Sequence, residues 1–381
     1  MAAAEMNWHD ALPDFQARTS GIQDLSASPN QPDKPLVVLV HGIGGSAQHW
    51  SNPLGLSLDE TWLYDTAAAP QAGSGSPALL CSPAYQAGAV QDWCSALASA
   101  GISTINFSQS QPSGPLAAAA SELVEVLTNV EQLYADSAGP PYVLLCHSRG
   151  GLVARQALKQ LGRDGLPHLR KVATLCTPHA GSYMPRLSSE YDQALDGQLD
   201  FTRLSAQFGL LAGVMQGPLQ TCLAAVSGQV RAALMHSFGT TPEGPGFDEL
   251  VPGSPMLDQL AQGDAPLPGV TYHGYGGSSP GIVSLYLSGA GHTLRLLKVS
   301  SPELIGLLDG CIPALQAEYG GLAELDQGDS AVSLASSRWP EAFGASYQVF
   351  PINHMQALID GPLQAAVISL IGLLRQRPDQ S

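Results

Sequence analysis

Residues 142–158, YVLLCHSRGGLVARQAL, set a cysteine, a histidine and a serine side by side between an apolar run and a helical pattern. Each of the three side chains can attack a carbonyl or move a proton, so the surrounding residues must decide between them. An apolar strand, a sharp glycine-rich turn and a helix, in that order, make a nucleophile elbow. Its apex residue is held on a strained turn, and small residues flank it two positions to either side. Ser148 falls at the apex, and Cys146 and Gly150 are its small neighbours. Cys146 stands where glycine is expected, but a cysteine is compact and apolar enough to fill a tight buried slot. His147 precedes the serine on the opposite side of the chain and reads as a packing or hydrogen-bonding neighbour that lines the site.

A serine that attacks a carbonyl needs donors for the oxyanion that results. Upstream, LVVLVHGIGGSAQHW ends an apolar run in His41-Gly42-Ile43-Gly44-Gly45, a loop through which backbone can approach a substrate oxygen. The Ile43 N–H and the N–H of Arg149, next after the serine, are the expected oxyanion donors. His41 and Gly42 are expected to line the substrate. A phosphate loop is disfavoured, since neither G-x-x-x-x-G-K nor G-x-G-x-x-G follows the strand.

The base must come from elsewhere in the chain, which has ten histidines. In YQVFPINHMQAL, His354 ends a late apolar run and enters the last long helix, where the base of a Ser, acid, His order falls. His179, in LCTPHAGS, is the rival because it too follows a strand. It comes only 31 residues after Ser148, which leaves little room for an acid between them, so it and Pro178 are read as lining the site. His273 and His292 are weaker candidates. For the acid, the turn GDSAV places Asp329 25 residues before His354, with Asp326 as the fallback. An aspartate there would hold the imidazole tautomer and stabilise the imidazolium.

These residues need a scaffold that brings residues 43, 148, 329 and 354 together. Short apolar runs at 35–40, 102–107, 142–146, 172–176, 270–274 and 347–352 alternate with helical patterns at 89–99, 116–134, 150–161 and 355–375. That alternation predicts βα units around a mainly parallel sheet covered on both faces. Residues 1–34 read as an N-terminal extension and 51–88 as a long Pro/Gly/Ser-rich loop. The core is assigned to 35–181, 269–277 and 324–381. Residues 182–268, helical and apolar, read as an inserted cap. Residues 278–323 read as a second insertion, a hairpin followed by a helix.

Composition narrows the partners. The 381 residues are 44% apolar and 13% charged, with 32 acidic against 16 basic residues and a formal charge of −16. Such a chain can bury a large core and is a poor match for nucleic acid. A small neutral or apolar ester is the expected partner, with transient contact to a lipid surface through the cap. The N-terminus lacks the basic and apolar regions of a secretory signal, which points to the cytoplasm and leaves export open. The longest apolar run, LQAAVISLIGLL, is too short for a membrane span. Six scattered cysteines without a CxxC pair are expected to be mostly reduced, buried thiols.

With VHGIGG, HSRGGLVAR, VATLCTPHAGS, PGSPML, GDSAVSLASSRWP and NHMQAL in this order, the chain resembles the α/β-hydrolase superfamily. Within it, the chain is similar to the bacterial lipase and esterase group and to GPI-inositol-deacylase-type hydrolases. The resemblance covers residue 35 to the C-terminus. It implies an α/β-hydrolase fold and carboxylic ester hydrolysis with Ser148, Asp329 and His354 as the triad, without metal or organic cofactor. It also implies a loop from Pro178 to Gly181 at the mouth of the site. Three positions depart from the pattern: Cys146, Ser330 after the acid, and Gln356 where calcium-binding relatives carry an aspartate. The last implies no such calcium site. An acyltransferase or thioesterase on the same triad, and a catalytically silent binding protein, are the alternatives.

Overall fold

A computed structural model describes residues 23–24, 35–51, 78–83, 91–134, 141–182, 244–279, 281–289, 292–300, 328–329 and 331–375. Seven strands of these residues form one sheet in the order β1-β4-β2-β5-β6-β7-β10. They are β1 (Gln23–Asp24), β2 (Leu36–Val40), β4 (Ser103–Asn106), β5 (Tyr142–His147), β6 (Leu169–Leu175), β7 (Thr271–Gly277) and β10 (Ser346–Phe350). All neighbours run parallel except β1, which lies antiparallel to β4.

The continuous apolar runs follow from burial on both faces. In β2, Leu36, Val38 and Val40 join a core shared with α2 (Leu116–Tyr134) and α3 (Gly150–Leu161). Val37 and Leu39, pointing the other way, meet Trp50, α1 (Trp93–Ser99) and α6 (Gly361–Gly372). Two helix expectations start too early. The helix expected over 89–99 begins at Trp93, because Asp92 caps it by accepting the Ser95 N–H at 2.8 Å. The helix expected over 355–375 is divided into a 3₁₀ turn, Gln356–Leu358, and α6, which Asp360 caps and whose first turn contains Pro362.

A second sheet holds β3 (Ala78–Pro83), β8 (Gly281–Gly289) and β9 (His292–Ser300), all antiparallel. The last two are the hairpin read from sequence. β3 corrects the reading of 51–88 as one loop: its ladder partner lies about two hundred residues away, so local composition could not reveal it. Of the expected cap, 183–243 lies outside the described residues. In its last part, α4 (Pro245–Asp248) and α5 (Pro255–Ala261) place Phe247, Leu250, Leu257 and Leu260 in the same core as β2 and α2.

The chain passes from β2 to β4 on one side and then to β5 on the other, so the strand order reverses between β2 and β5. Loops leaving the carboxyl ends of two such strands diverge and open a crevice, the usual ligand position in open parallel sheets. The loop carrying Ile43 leaves β2 there, and Ser148 leaves β5 beside it.

Candidate active site

Ser148 follows β5 with φ of 53°, a left-handed conformation that a non-glycine residue adopts only under constraint. The constraints are visible. Its N–H donates to Leu175 O at 2.9 Å, and its own carbonyl accepts the Thr177 hydroxyl at 2.8 Å. The two glycines behind it let α3 start at once: a Cβ on Gly150 would meet Val40 O at 2.4 Å, and one on Gly151 would meet Thr177 Oγ1. Cys146, two residues before the serine, is wholly buried, and burial raises its thiol pKa. It fills space in the core.

The loop after β2 rests directly on the serine. A Cβ on Gly42 would lie 2.8 Å from Ser148 Cβ and 3.4 Å from Ser148 Oγ. Neither the Ile43 nor the Arg149 N–H has an acceptor among the described residues. His41, expected to line the substrate, instead supports the loop from inside. Its Nε2 accepts the Gln109 N–H at 3.0 Å, which leaves the proton on Nδ1 to donate to Gly42 O at 2.8 Å. Burial lowers its pKa to about 3, so the neutral tautomer persists.

The Arg149 side chain is also structural. Its Nη1 donates to Pro112 O at 2.8 Å and its Nη2 to Gly114 O at 2.5 Å, while the Gly44 N–H donates to the same Pro112 O at 3.0 Å. Burial lowers the guanidinium pKa to about 10, with Glu249 opposing the shift, so it stays charged at neutral pH.

Asp329 and His354 meet across 25 residues. His354 Nδ1 donates to Asp329 Oδ2 at 2.8 Å. Asp329 Oδ1 accepts the Ala331 and Val332 N–H groups at 2.9 and 2.7 Å, and the His354 N–H donates to Asp329 O at 2.8 Å. The carboxylate is thus fixed by backbone and stays hydrogen-bonded although fully buried. With the proton on Nδ1, His354 Nε2 carries the lone pair. Asp326 lies outside the described residues. His147 joins the serine turn to this pair: its Nε2 donates to His354 O at 3.0 Å, and the two rings lie 4.8 Å apart. Burial, then the neighbouring His354, holds His147 well below the usual histidine pKa.

His179 and Pro178 are buried next to this centre, in the loop after β6. The His179 ring stacks on Trp339 at 4.3 Å, its Nδ1 faces Arg155 Nη1 at 3.5 Å and its Nε2 faces Thr174 Oγ1 at 3.3 Å. This occupies both nitrogens, so His179 braces the loop where a lining role was expected. His273 is held by Ser346 and Thr271, and of His292 only the backbone is described. Gln356 offers Oε1 to the Asn353 N–H at 2.7 Å, and Asn353 Oδ1 accepts the Gln356 N–H at 2.9 Å. These two residues build the turn that carries His354.

Sequence reasoning missed three contributors. Arg155 spans α3 to the far loop: it pairs with Asp264, whose side chain is 7% exposed, and donates to His179 O at 3.1 Å. Gln109 fixes the His41 tautomer. Cys176, one residue past β6, has φ of 52° and presents its thiol to the Asp329 carboxylate. A polar side chain on an otherwise apolar helix face signals Arg155. Nothing local signals Cys176.

No family model and no curated protein matches the chain. Among solved structures it is similar to the mature form of the lipase BlEst2 from Bacillus licheniformis, with 15% identity and a TM-score of 0.51. That match covers 93% of this chain and 98% of the other. The chain has the α/β-hydrolase fold. A hydrolase from Oleispira antarctica matches at 13% identity and a TM-score of 0.41, over 94% and 97% of the two chains. A proline iminopeptidase from Mycobacterium smegmatis matches at 12% and 0.37, over 93% and 94%. In this fold the serine, the aspartate and the histidine all lie on the carboxyl-end side of the sheet.

Proposed function

We propose that the protein is a serine carboxylic ester hydrolase in which Ser148 is the nucleophile, His354 the base and Asp329 the acid. The observation that carries the reading is the Asp329–His354 hydrogen bond, because it assigns the free lone pair to Nε2. His354 Nε2 takes the Ser148 proton as Oγ attacks the ester carbonyl. The Ile43 and Arg149 N–H groups receive the oxyanion, and their lack of other acceptors among the described residues leaves them free for it. The imidazolium returns its proton to the leaving alcohol, and water then repeats the sequence to release the acid. Gly42 lies against Ser148, and His147 precedes it in the chain. The chain's low charge suits a neutral or apolar ester, and the name of the Bacillus relative, a lipase, suggests a lipid ester.

The test is a p-nitrophenyl ester series by acyl length, run with fluorophosphonate labelling. The expected result is label on Ser148 and a fall of about 10⁶ in kcat for Ser148→Ala. Full ester hydrolysis by that variant would overturn the proposal.

A further inference from the structure

The Asp329–His354 pair has a third polar neighbour that ester hydrolysis does not use. Cys176 Sγ, a carboxylate oxygen of Asp329 and a ring nitrogen of His354 lie within 4.8 Å of one another, and all three residues are buried. Cys176 also holds a left-handed φ of 52°, which strains any residue but glycine. A side chain is therefore kept where glycine would suit the backbone better.

Thiolate, imidazole and carboxylate together match Zn²⁺ and its softer congeners, whereas Mg²⁺ and Ca²⁺ favour oxygen alone. Bonds of about 2.0–2.3 Å to a tetrahedral ion would set these ligand atoms roughly 3.5 Å apart, so the thiol needs to close by up to about 1.3 Å and the Asp329–His354 pair to open by roughly 0.5 Å. One divalent cation with a thiolate, a carboxylate and a neutral imidazole carries no net charge, which suits a buried place.

We propose that Cys176, Asp329 and His354 form an inhibitory site for one thiophilic divalent cation of the Zn²⁺ class. On binding, the Cys176 S–H loses its proton to solvent, and the His354 proton leaves Nδ1 while Nε2 takes one up, so one proton is released in all and the imidazole stays neutral. Bonds then form from Sγ, Nδ1 and a carboxylate oxygen, with water completing the tetrahedron. The one proton left on the neutral imidazole must sit on Nε2, so Nε2 has no lone pair to accept the serine proton. The ion thus stops the base by fixing the wrong tautomer. His354 is 7% exposed against 1% for Cys176 and none for Asp329, so the ion arrives from the histidine side and inhibition develops slowly.

The inhibitory consequence rests on the proposed role of His354, whereas binding does not. Binding is therefore read separately, on Ser148→Ala protein, as the thiolate-to-Cd²⁺ ultraviolet charge-transfer band. The band is compared with that of the same protein carrying Cys176→Gly, a substitution that suits the backbone here. Inhibition by Zn²⁺ and Cd²⁺ is measured for the otherwise unaltered enzyme, Cys176→Gly and Cys176→Ser, each relative to its own metal-free rate. The expected results are a Cys176-dependent band of one ion per chain, and inhibition that chelator reverses. Both variants should need at least tenfold more ion, and Mg²⁺ and Ca²⁺ should have no effect. Equal bands or equal sensitivity with and without Cys176 would overturn the site. A Cys176-dependent band in a protein without esterase activity would leave the site standing and remove the hydrolase reading instead.

Discussion

Gly42→Ala asks whether the loop after β2 must lie against Ser148, the proposed nucleophile. The new methyl would sit 2.8 Å from Ser148 Cβ, and 3.4 Å from both Ser148 Oγ and His147 Nδ1. Carbon atoms in contact keep about 3.5–4.0 Å, so one side must retreat by roughly 1 Å. Ser148 is pinned by Leu175 O and Thr177, whereas the Gly42–Ile43 peptide is held among the described residues by its carbonyl alone, on the His41 ring and the Gly45 N–H. The displacement therefore falls on the Gly42–Ile43 peptide and carries the Ile43 N–H away from the oxyanion position. A donor must lie about 2.7–3.1 Å from that oxyanion, and losing one donor costs about 10²–10³ in kcat, or roughly 2.7–4 kcal/mol. Because the donor acts mainly on the transition state, KM should change little. The assay is steady-state hydrolysis of a short p-nitrophenyl ester, with melting temperature measured alongside. Gly361→Ala, whose methyl would meet nothing within 4 Å, is the control. A Gly42→Ala enzyme that keeps kcat within about threefold of the unaltered protein would refute the reasoning.

Asp329→Asn keeps the size of the side chain but disturbs the tautomer and removes the charge that supports the imidazolium; kcat should fall about 10⁴-fold at neutral pH, measured on the same ester. Arg155→Met leaves Asp264 buried without its cation and should lower stability by about 3–5 kcal/mol in urea unfolding. Histidines 41, 147 and 179 all have folded-state pKa values below the ordinary 6.5, chiefly through burial. The folded state therefore binds fewer protons than the unfolded chain, and this contribution is complete above about pH 6.5. It is lost as the pH falls below that, through to about pH 3 for His41. From pH 6.5 to 5 His41 should remove about 2 kcal/mol, His147 and His179 should add losses of the same sign, and His41→Gln should flatten the slope. A stability that stays level from pH 7 to 5 would contradict the burial of these rings.

Much of the scaffold was legible because strands buried on both faces read as unbroken apolar runs, as LVVLV and YVLLC do. The elbow was legible because a turn this tight demands particular residue sizes: Gly150 and Gly151 are where Val40 O and Thr177 leave no room for a methyl. The pairing of His354 with Asp329 could be placed only by chain order, yet their contact is short in space. What stayed hidden depends on tertiary partners. His41 reads in sequence like a residue facing substrate, and only the distant Gln109 N–H shows that its ring is spent on backbone. Cys176 looks like the last residue of an apolar strand, and its turn towards Asp329 follows from a φ that sequence does not print. β3 was missed because its ladder comes from residues 283–288.

The Pro112 carbonyl takes donors from two separate stretches of chain, the Gly44 N–H of the β2 loop and the guanidinium of Arg149. It therefore acts as a yoke: the two N–H groups proposed to meet the oxyanion hang from one point, though they leave different strands. A push on either arm is shared by the other, so the gap between them keeps its width while the crevice as a whole shifts. In the proposed hydrolysis, reorganisation that water would have to perform at each turnover is thereby completed once, when the chain folds.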